Sequence, residues 1–144
     1  MCYCTDMFDH CIYFNTAALA RQLERTWAKA FRPFDLTPPQ AFLLRAVLEK
    51  PGMLQSELAD TLRVTRPTAT RALDGLEARD LIERRSTKRD GRECEIFPTT
   101  QAQPLKDPLN AASGDVTKRL KAALGEEVFA SFVEQAKAVA GKMA

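Results

Sequence analysis

The sequence predicts a mainly α-helical domain carrying one small antiparallel β hairpin, and three observations support this. Apolar residues recur at helical spacing through six segments between Cys11 and Val139. Proline and glycine punctuate those segments at Pro33, Pro51, Gly52 and Gly125. After Asp80 the period changes, where the short runs LIERRS and ECEIFP flank TKRDGR. A chain of 144 residues buries roughly two-thirds of its unfolded surface, enough for a single domain over 1–144 without staples. The apolar share of 45% and charged share of 28% are those of a soluble globular protein. No window approaches the ~20 apolar residues that span a bilayer. The start MCYCTDMFDH carries acids where a secretory signal has basic residues, so the expected location is the cytoplasm, with the four cysteines as reduced thiols.

Each element has its own signature. From Cys11 to Phe31, residues Ile12, Leu19, Leu23, Trp27 and Ala30 alternate with Arg21, Glu24, Arg25 and Lys29, which predicts one long helix ended by Pro33. Thr37 is an N-cap with Pro38 at the first helical position. Phe42, Leu43, Ala46 and Val47 give this second helix its inward stripe until Lys50-Pro51-Gly52. A short third helix, Gln55 to Leu62, turns Leu58, Ala59 and Leu62 inward and Glu57 and Asp60 outward. Thr65 caps a fourth helix, in which Pro67 is tolerated because first-turn N–H groups have no intrahelical partner. Ala69, Ala72, Leu73 and Leu76 fall at i, i+3, i+4 and i+7 and form its buried stripe. Arg66, Pro67, Thr70, Arg71 and Asp74 are left on the opposite face. The hairpin follows, with Gly91 in its turn and Pro98 closing its second strand. Pro104, Pro108 and Gly114 predict a fifth helix that is kinked or begins only near Asp115, with Val116, Leu120, Ala123 and Leu124 as its stripe. After Gly125, residues Val128, Phe129, Phe132, Val133, Ala136 and Val139 form a sixth.

Two short helices joined by the tight turn Arg63-Val64 make a helix-turn-helix, and a hairpin directly after the second helix adds a wing. In such a unit the second helix lies in the DNA major groove with its N-terminal end nearest the base edges. Thr65, Thr68 and Thr70 are short enough to reach phosphates or bases without holding the helix away, and Arg66 and Arg71 suit guanine or phosphate. The charge distribution agrees. The chain is only +2 overall, yet residues 63–92 hold nine Arg/Lys against five acids, a net of +4 that leaves −2 elsewhere. Arg84, Arg85, Lys88, Arg89 and Arg92 crowd one hairpin, against the like-charge repulsion that folding alone would avoid, and Arg89 is placed to enter the adjacent minor groove.

From Leu36 to about Thr100 the chain resembles the MarR family of bacterial transcriptional regulators. The matching motifs are LTPPQ, SELA, VTRPTATRALDGLEARDLIER and the wing's D-x-R, here Asp90 and Arg92. The resemblance implies a winged helix-turn-helix core over 36–99. It also implies dimerisation helices over 11–32 and 101–144 that intertwine in a homodimer reading a pseudo-palindrome of double-stranded DNA. Within that frame Asp90 pairs with Arg92 and braces the wing, leaving Lys88, Arg89 and Arg92 beside the duplex. A pocket between the dimer helices and the winged unit is implied for an effector, a small phenolic or other aromatic molecule. Independently, the stripe Val128, Phe129, Phe132 and Val133 exceeds what one terminal helix needs, and a two-fold partner would cover it. Recognition helices then sit about 34 Å apart, one turn of DNA. Arg63 stands where the family often has Gly, at a cost of roughly 1 kcal/mol if the position is left-handed.

Cysteine chemistry offers a second signal. Segment 10–40 resembles the OhrR-like, peroxide-sensing branch, in which a cysteine at the place of Cys11 is oxidised; the tyrosines of that branch are replaced here by Asn15, Arg25 and Ala41. Cys11 also lies near the positive end of the first helix, a setting that suits reactive thiols. Cys2, Cys4, His10 and Cys11 supply soft ligands, although their spacing matches no established zinc pattern, and no cofactor is expected. Cys94 reads as an inward strand residue. With a single His and no phosphate-cradling glycine loop there is no catalytic constellation, so an enzyme is not expected. The reading is therefore a DNA-binding regulator, most simply a repressor released by a ligand or by oxidation. The alternatives are a winged-helix module that binds protein, or a thiol or metal sensor that does not act through DNA.

Overall fold

The computed structural model describes residues 7–87 and 93–144. Helix α1 (Ile12–Phe31) is capped by Cys11, whose Sγ accepts from the Phe14 N–H at 3.5 Å. A 3-10 turn (Arg32–Phe34) and a left-handed Asp35 redirect the chain into α2 (Pro38–Glu49). Thr37 and Gln40 form a reciprocal capping box at the start of α2. Strand β1 (Met53–Leu54) runs directly into α3 (Gln55–Leu62), followed by α4 (Arg66–Ala78), β2 (Ile82–Ser86) and β3 (Cys94–Pro98). A second 3-10 turn (Gln103–Leu105) leads into α5 (Lys106–Leu124) and α6 (Glu126–Met143). The sheet is antiparallel in the order β1-β3-β2, with Ile96 of β3 opposite both Met53 and Arg84. The mainly α class with its small β wing is thus what the chain adopts.

Two expectations need correction. Helix α5 begins at Lys106, well before Asp115, and runs through Gly114. Pro108 is its third residue, where the missing N–H belongs to the set that has no intrahelical partner and no carbonyl of an earlier helical turn meets the ring. Pro104 lies outside, in the 3-10 turn. In α2 the buried stripe is Ala41, Leu43, Leu44, Val47 and Leu48, while Phe42 is exposed and Ala46 only half-buried. The stripe is wide because α2 packs against α4 on one side and α5 on the other. Strand β1 has no signature in the sequence, because two residues are too few to show alternation.

The core gathers Phe31 from α1, Leu44 from α2, Leu58 from α3, Leu73 and Leu76 from α4, Ile82 and Ile96 from the sheet and Leu109 from α5. Each such side chain contributes roughly 1.5–3 kcal/mol by leaving water. Gly75 lets α4 approach α2 closely, since a Cβ there would stand 2.5 Å from the Gln40 amide nitrogen. Ser113 is the buried polar side chain among the described residues, and its hydroxyl accepts from Trp27 Nε1 at 3.0 Å, tying α1 to α5. Helix α6 is different. Gly125, at φ 85°, turns the chain out of α5, and no residue of α6 is buried.

Arg63 ends α3 in the left-handed region, at φ 54° and ψ 42°. Its N–H donates to Asp60 O, and Val64 N–H to Ala59 O at 3.0 Å, closing the turn. Arginine holds this conformation at roughly 1–2 kcal/mol, part of which glycine returns as backbone entropy. Arg63→Gly is expected to raise the unfolding midpoint by about 2–3 °C, a gain of about 0.5–1 kcal/mol, whereas Arg63→Ala gives no such rise. Thermal melts of the three proteins decide it, and a Gly variant no more stable than wild type removes the strain argument.

Candidate nucleic-acid interface

The turn at Arg63 aims the N-terminus of α4 outward, and the local sequence builds that end from hydroxyls and arginines. Thr65 Oγ1 accepts from Thr68 N–H at 3.3 Å, capping the helix. The Thr65 hydroxyl also donates to Thr68 Oγ1 at 2.9 Å. Thr70 donates to Arg66 O at 2.9 Å and accepts from Gln55 Nε2 at 2.7 Å. The threonines are therefore not three free donors as the sequence suggested. Each hydroxyl has one proton; that of Thr70 is spent inside the helix, and Thr65 and Thr68 keep one between them. Gln55, whose role has no local signature in the sequence, fixes Thr70 and so ties the start of α3 to α4.

Arg66, Pro67 and Arg71 are exposed on the face away from the core. Neither arginine has an ion pair among the described residues. The first turn of α4 contains no acid, so its N–H groups and positive dipole end are not neutralised locally.

The two hairpin arginines described here have other work. Arg84 donates to Asp74 at 2.8 Å and Glu77 at 2.9 Å, and its side chain is only 17% exposed. It clamps β2 to the outer face of α4 and neutralises two acids that would otherwise face the same side as Arg71. Arg85 pairs with Glu83 at 2.6 Å and lies 4.0 Å over the Phe97 ring. The charge crowding read from the sequence is thus relieved at these two positions. Ser56 Oγ donates to Glu93 Oε1 at 3.0 Å and joins α3 to the wing. Arg79 donates to the Phe34 carbonyl at 3.0 Å and to that of Asp35, fixing the end of α4 to the α1–α2 connection. Lys88, Arg89, Asp90, Gly91 and Arg92, with their expected roles, lie outside the described residues.

Behind the same end of α4 is an apolar cavity of about 420 Å³. Leu23 and Trp27 of α1 and Phe42 and Leu43 of α2 form one wall; Thr68, Ala69 and Ala72 of α4 form the other. A smaller cavity of about 160 Å³ between α4 and the wing is bordered by Arg66, Thr70 and Cys94. Cys94 is half-buried against the core and Cys11 is exposed. His10 is exposed beside it, and no group of three His, Cys, Asp or Glu suited to a metal occurs among the described residues. Cys2 and Cys4 lie outside those residues. No helix among them is long and apolar enough to cross a membrane.

Comparison with known proteins bears on this geometry. Residues 34–93 match the MarR family, a span that covers α2 through β2 and ends just before β3. YybA of Bacillus subtilis (strain 168), an uncharacterized HTH-type transcriptional regulator, is 32% identical over 97 residues, 67% of this chain and 64% of its own length. HosA, a transcriptional regulator of Escherichia coli O157:H7, is 31% identical over 71 residues, 49% of this chain and 53% of its own. The chain thus spans less than two-thirds of the length of these relatives. Among solved structures, a MarR protein from Peptoclostridium difficile superposes with a TM-score of 0.82 at 17% identity, covering 99% of this chain and 92% of that one. S. aureus MepR, in a complex with DNA, superposes with a TM-score of 0.76 at 25% identity over 92% of this chain and 95% of its own. The fold, the turn between α3 and α4 and the matched segment agree, and the chain belongs to the MarR family of winged helix-turn-helix proteins.

Proposed function

We propose that this chain is a sequence-specific, double-stranded DNA-binding transcriptional regulator, a repressor that reads a pseudo-palindromic operator as a homodimer. The observation that supports it most is the N-terminal end of α4, where Arg66 and Arg71 stand exposed without ion pairs among the described residues, over a helix turn free of acids. That combination suits phosphate and base edges together. The Arg84 clamp removes the repulsion that Asp74 and Glu77 would exert on the duplex. Similarity to S. aureus MepR, solved with DNA, supports the same reading. Lys88, Arg89 and Arg92 are assigned to the flanking groove, with Asp90 bracing Arg92. Helices α1, α5 and α6 carry the partner copy.

Release is assigned to the apolar cavity. A small phenolic or other aromatic molecule fits a volume of about 420 Å³ lined by Trp27, Phe42 and Leu23. Because Thr68, Ala69 and Ala72 form its far wall, a ligand that fits one orientation of α4 better than another shifts the separation of the two recognition helices. Oxidation of the exposed Cys11 is the second candidate signal.

The test is a salt titration of binding to the DNA upstream of the protein's own gene. About 6–10 phosphate contacts predict a loss of roughly 10³–10⁵ in affinity between 50 and 200 mM salt. A flat response excludes DNA as the partner and favours a winged module that binds protein. Footprinting with and without a thiol oxidant, repeated on Cys11→Ser, addresses the signal; protection indifferent to both retires Cys11.

A further inference from the structure

The carbonyls of Phe34 and Asp35 lie in the elbow that joins α1 to α2, and among the described residues no main-chain N–H reaches them. Asp35 is left-handed, at φ 54°, which turns the chain away from a continuing helix. The residues four positions on, Pro38 and Pro39, have no N–H to give. One distant side chain takes both carbonyls instead. Arg79, at the end of α4, donates from one terminal nitrogen to Phe34 O at 3.0 Å and from the other to Asp35 O. No ion pair competes for this guanidinium among the described residues. A planar fork held at two points fixes an angle as well as a distance.

The other side of the same helix end is also fixed. Asp80 is left-handed at φ 57°, its carbonyl accepts from the Thr99 hydroxyl at 2.7 Å, and Thr99 N–H donates to Leu81 O at 3.1 Å. The rear of α4 is therefore joined to the base of the wing on one side and to the elbow on the other. Its leading end is tied by Gln55 and borders the cavity of about 420 Å³. The elbow is thus the fulcrum and α4 the arm. Its 13 residues make an arm about 20 Å long, so a tilt of about 10° carries the leading end about 3.5 Å. One base pair of DNA rises by about 3.4 Å. We propose that Arg79 sets the half-site spacing this protein accepts: its two bonds lock the winged unit at one angle to α1, a helix assigned to the partner copy. At the opposite end of α4 from Arg66, Arg79 acts as a positioning residue and not as a DNA contact. The inference rests on the reading of the chain as a dimeric DNA-binding regulator.

The test measures fluorescence anisotropy of the full chain on the duplex footprinted upstream of its gene, on that duplex with one base pair inserted or removed between the half-sites, and on a duplex carrying one half-site. Wild type is expected to lose at least ~10-fold in affinity at either altered spacing. Arg79→Ala is expected to lose ~3-fold or less there, while its affinity for the single half-site stays within ~2-fold of wild type. Arg79→Lys keeps the charge without the fork, so its penalty falls between the two. Where the alanine variant does not fold by circular dichroism, the lysine variant decides. A variant as strict about spacing as wild type overturns the proposal. So does one that weakens the single half-site and every spacing alike, since Arg79 then holds the fold or meets DNA. Wild type that binds all three spacings equally also overturns it and leaves the DNA reading in place, whereas wild type that binds none of the duplexes sinks that reading and this inference with it.

Discussion

Replacing Arg66 and Arg71 together by alanine is expected to lower operator affinity by roughly 100-fold or more. Each arginine that meets a base edge or phosphate is worth about 1–3 kcal/mol, and 1.4 kcal/mol is a factor of ten. The dependence of log K on log salt should flatten by about one unit per contact removed and per protomer. Stability should move by no more than about 0.5 kcal/mol, because both side chains are exposed and neither has an ion pair among the described residues to lose. Fluorescence anisotropy at several salt concentrations, beside a thermal melt, separates these effects. A variant that binds as tightly as the wild type, with an unaltered slope, moves the DNA contact elsewhere on the molecule.

That variant addresses α4 because Arg84 and Arg85, the wing arginines among the described residues, are already paired with acids. Composition marked residues 63–92 as basic but could not say which arginines face outward. Arg84 shows why. Its partners Asp74 and Glu77 lie on a different element, three residues apart on α4, and the pairing exists only once β2 folds back over the helix. The same holds for Gln55 on Thr70. Local signals were legible: the Thr37 and Thr65 caps, the Ala69 to Leu76 stripe and the strands on either side of the wing turn each follow from short-range geometry. Where the sequence misled, tertiary packing decided. Phe42 has helical spacing suited to burial, but α2 is covered on two flanks and the ring falls between them, at the meeting point of two cavities. Pro108 looked like a break, and its place in the first turn of α5 makes it compatible with a helix that starts nine residues earlier than Asp115.

Helix α6 carries the other large effect. Val128 and Phe132 lie four residues apart on one face, both exposed, with Val133 and Val139 beside them. Near the start of the described chain Phe8, Ile12, Tyr13 and Phe14 are exposed as well. So much apolar surface at both terminal segments fits the proposed homodimer, in which a partner copy would cover it, and stable homodimers commonly bury about 2,000 Å² or more. Val128→Asp with Phe132→Asp is therefore expected to convert a dimer into a monomer of 16.1 kDa, since each carboxylate buried in an apolar contact costs several kcal/mol. Because α6 contributes no side chain to the core, the helical circular dichroism should survive. DNA affinity should fall by about 10²–10⁴, the advantage that a second linked reading head confers. Sedimentation and anisotropy on one sample test the link directly. A double variant that sediments as a dimer places the interface on other helices, and a monomer with undiminished affinity means that one winged unit reads the whole site by itself.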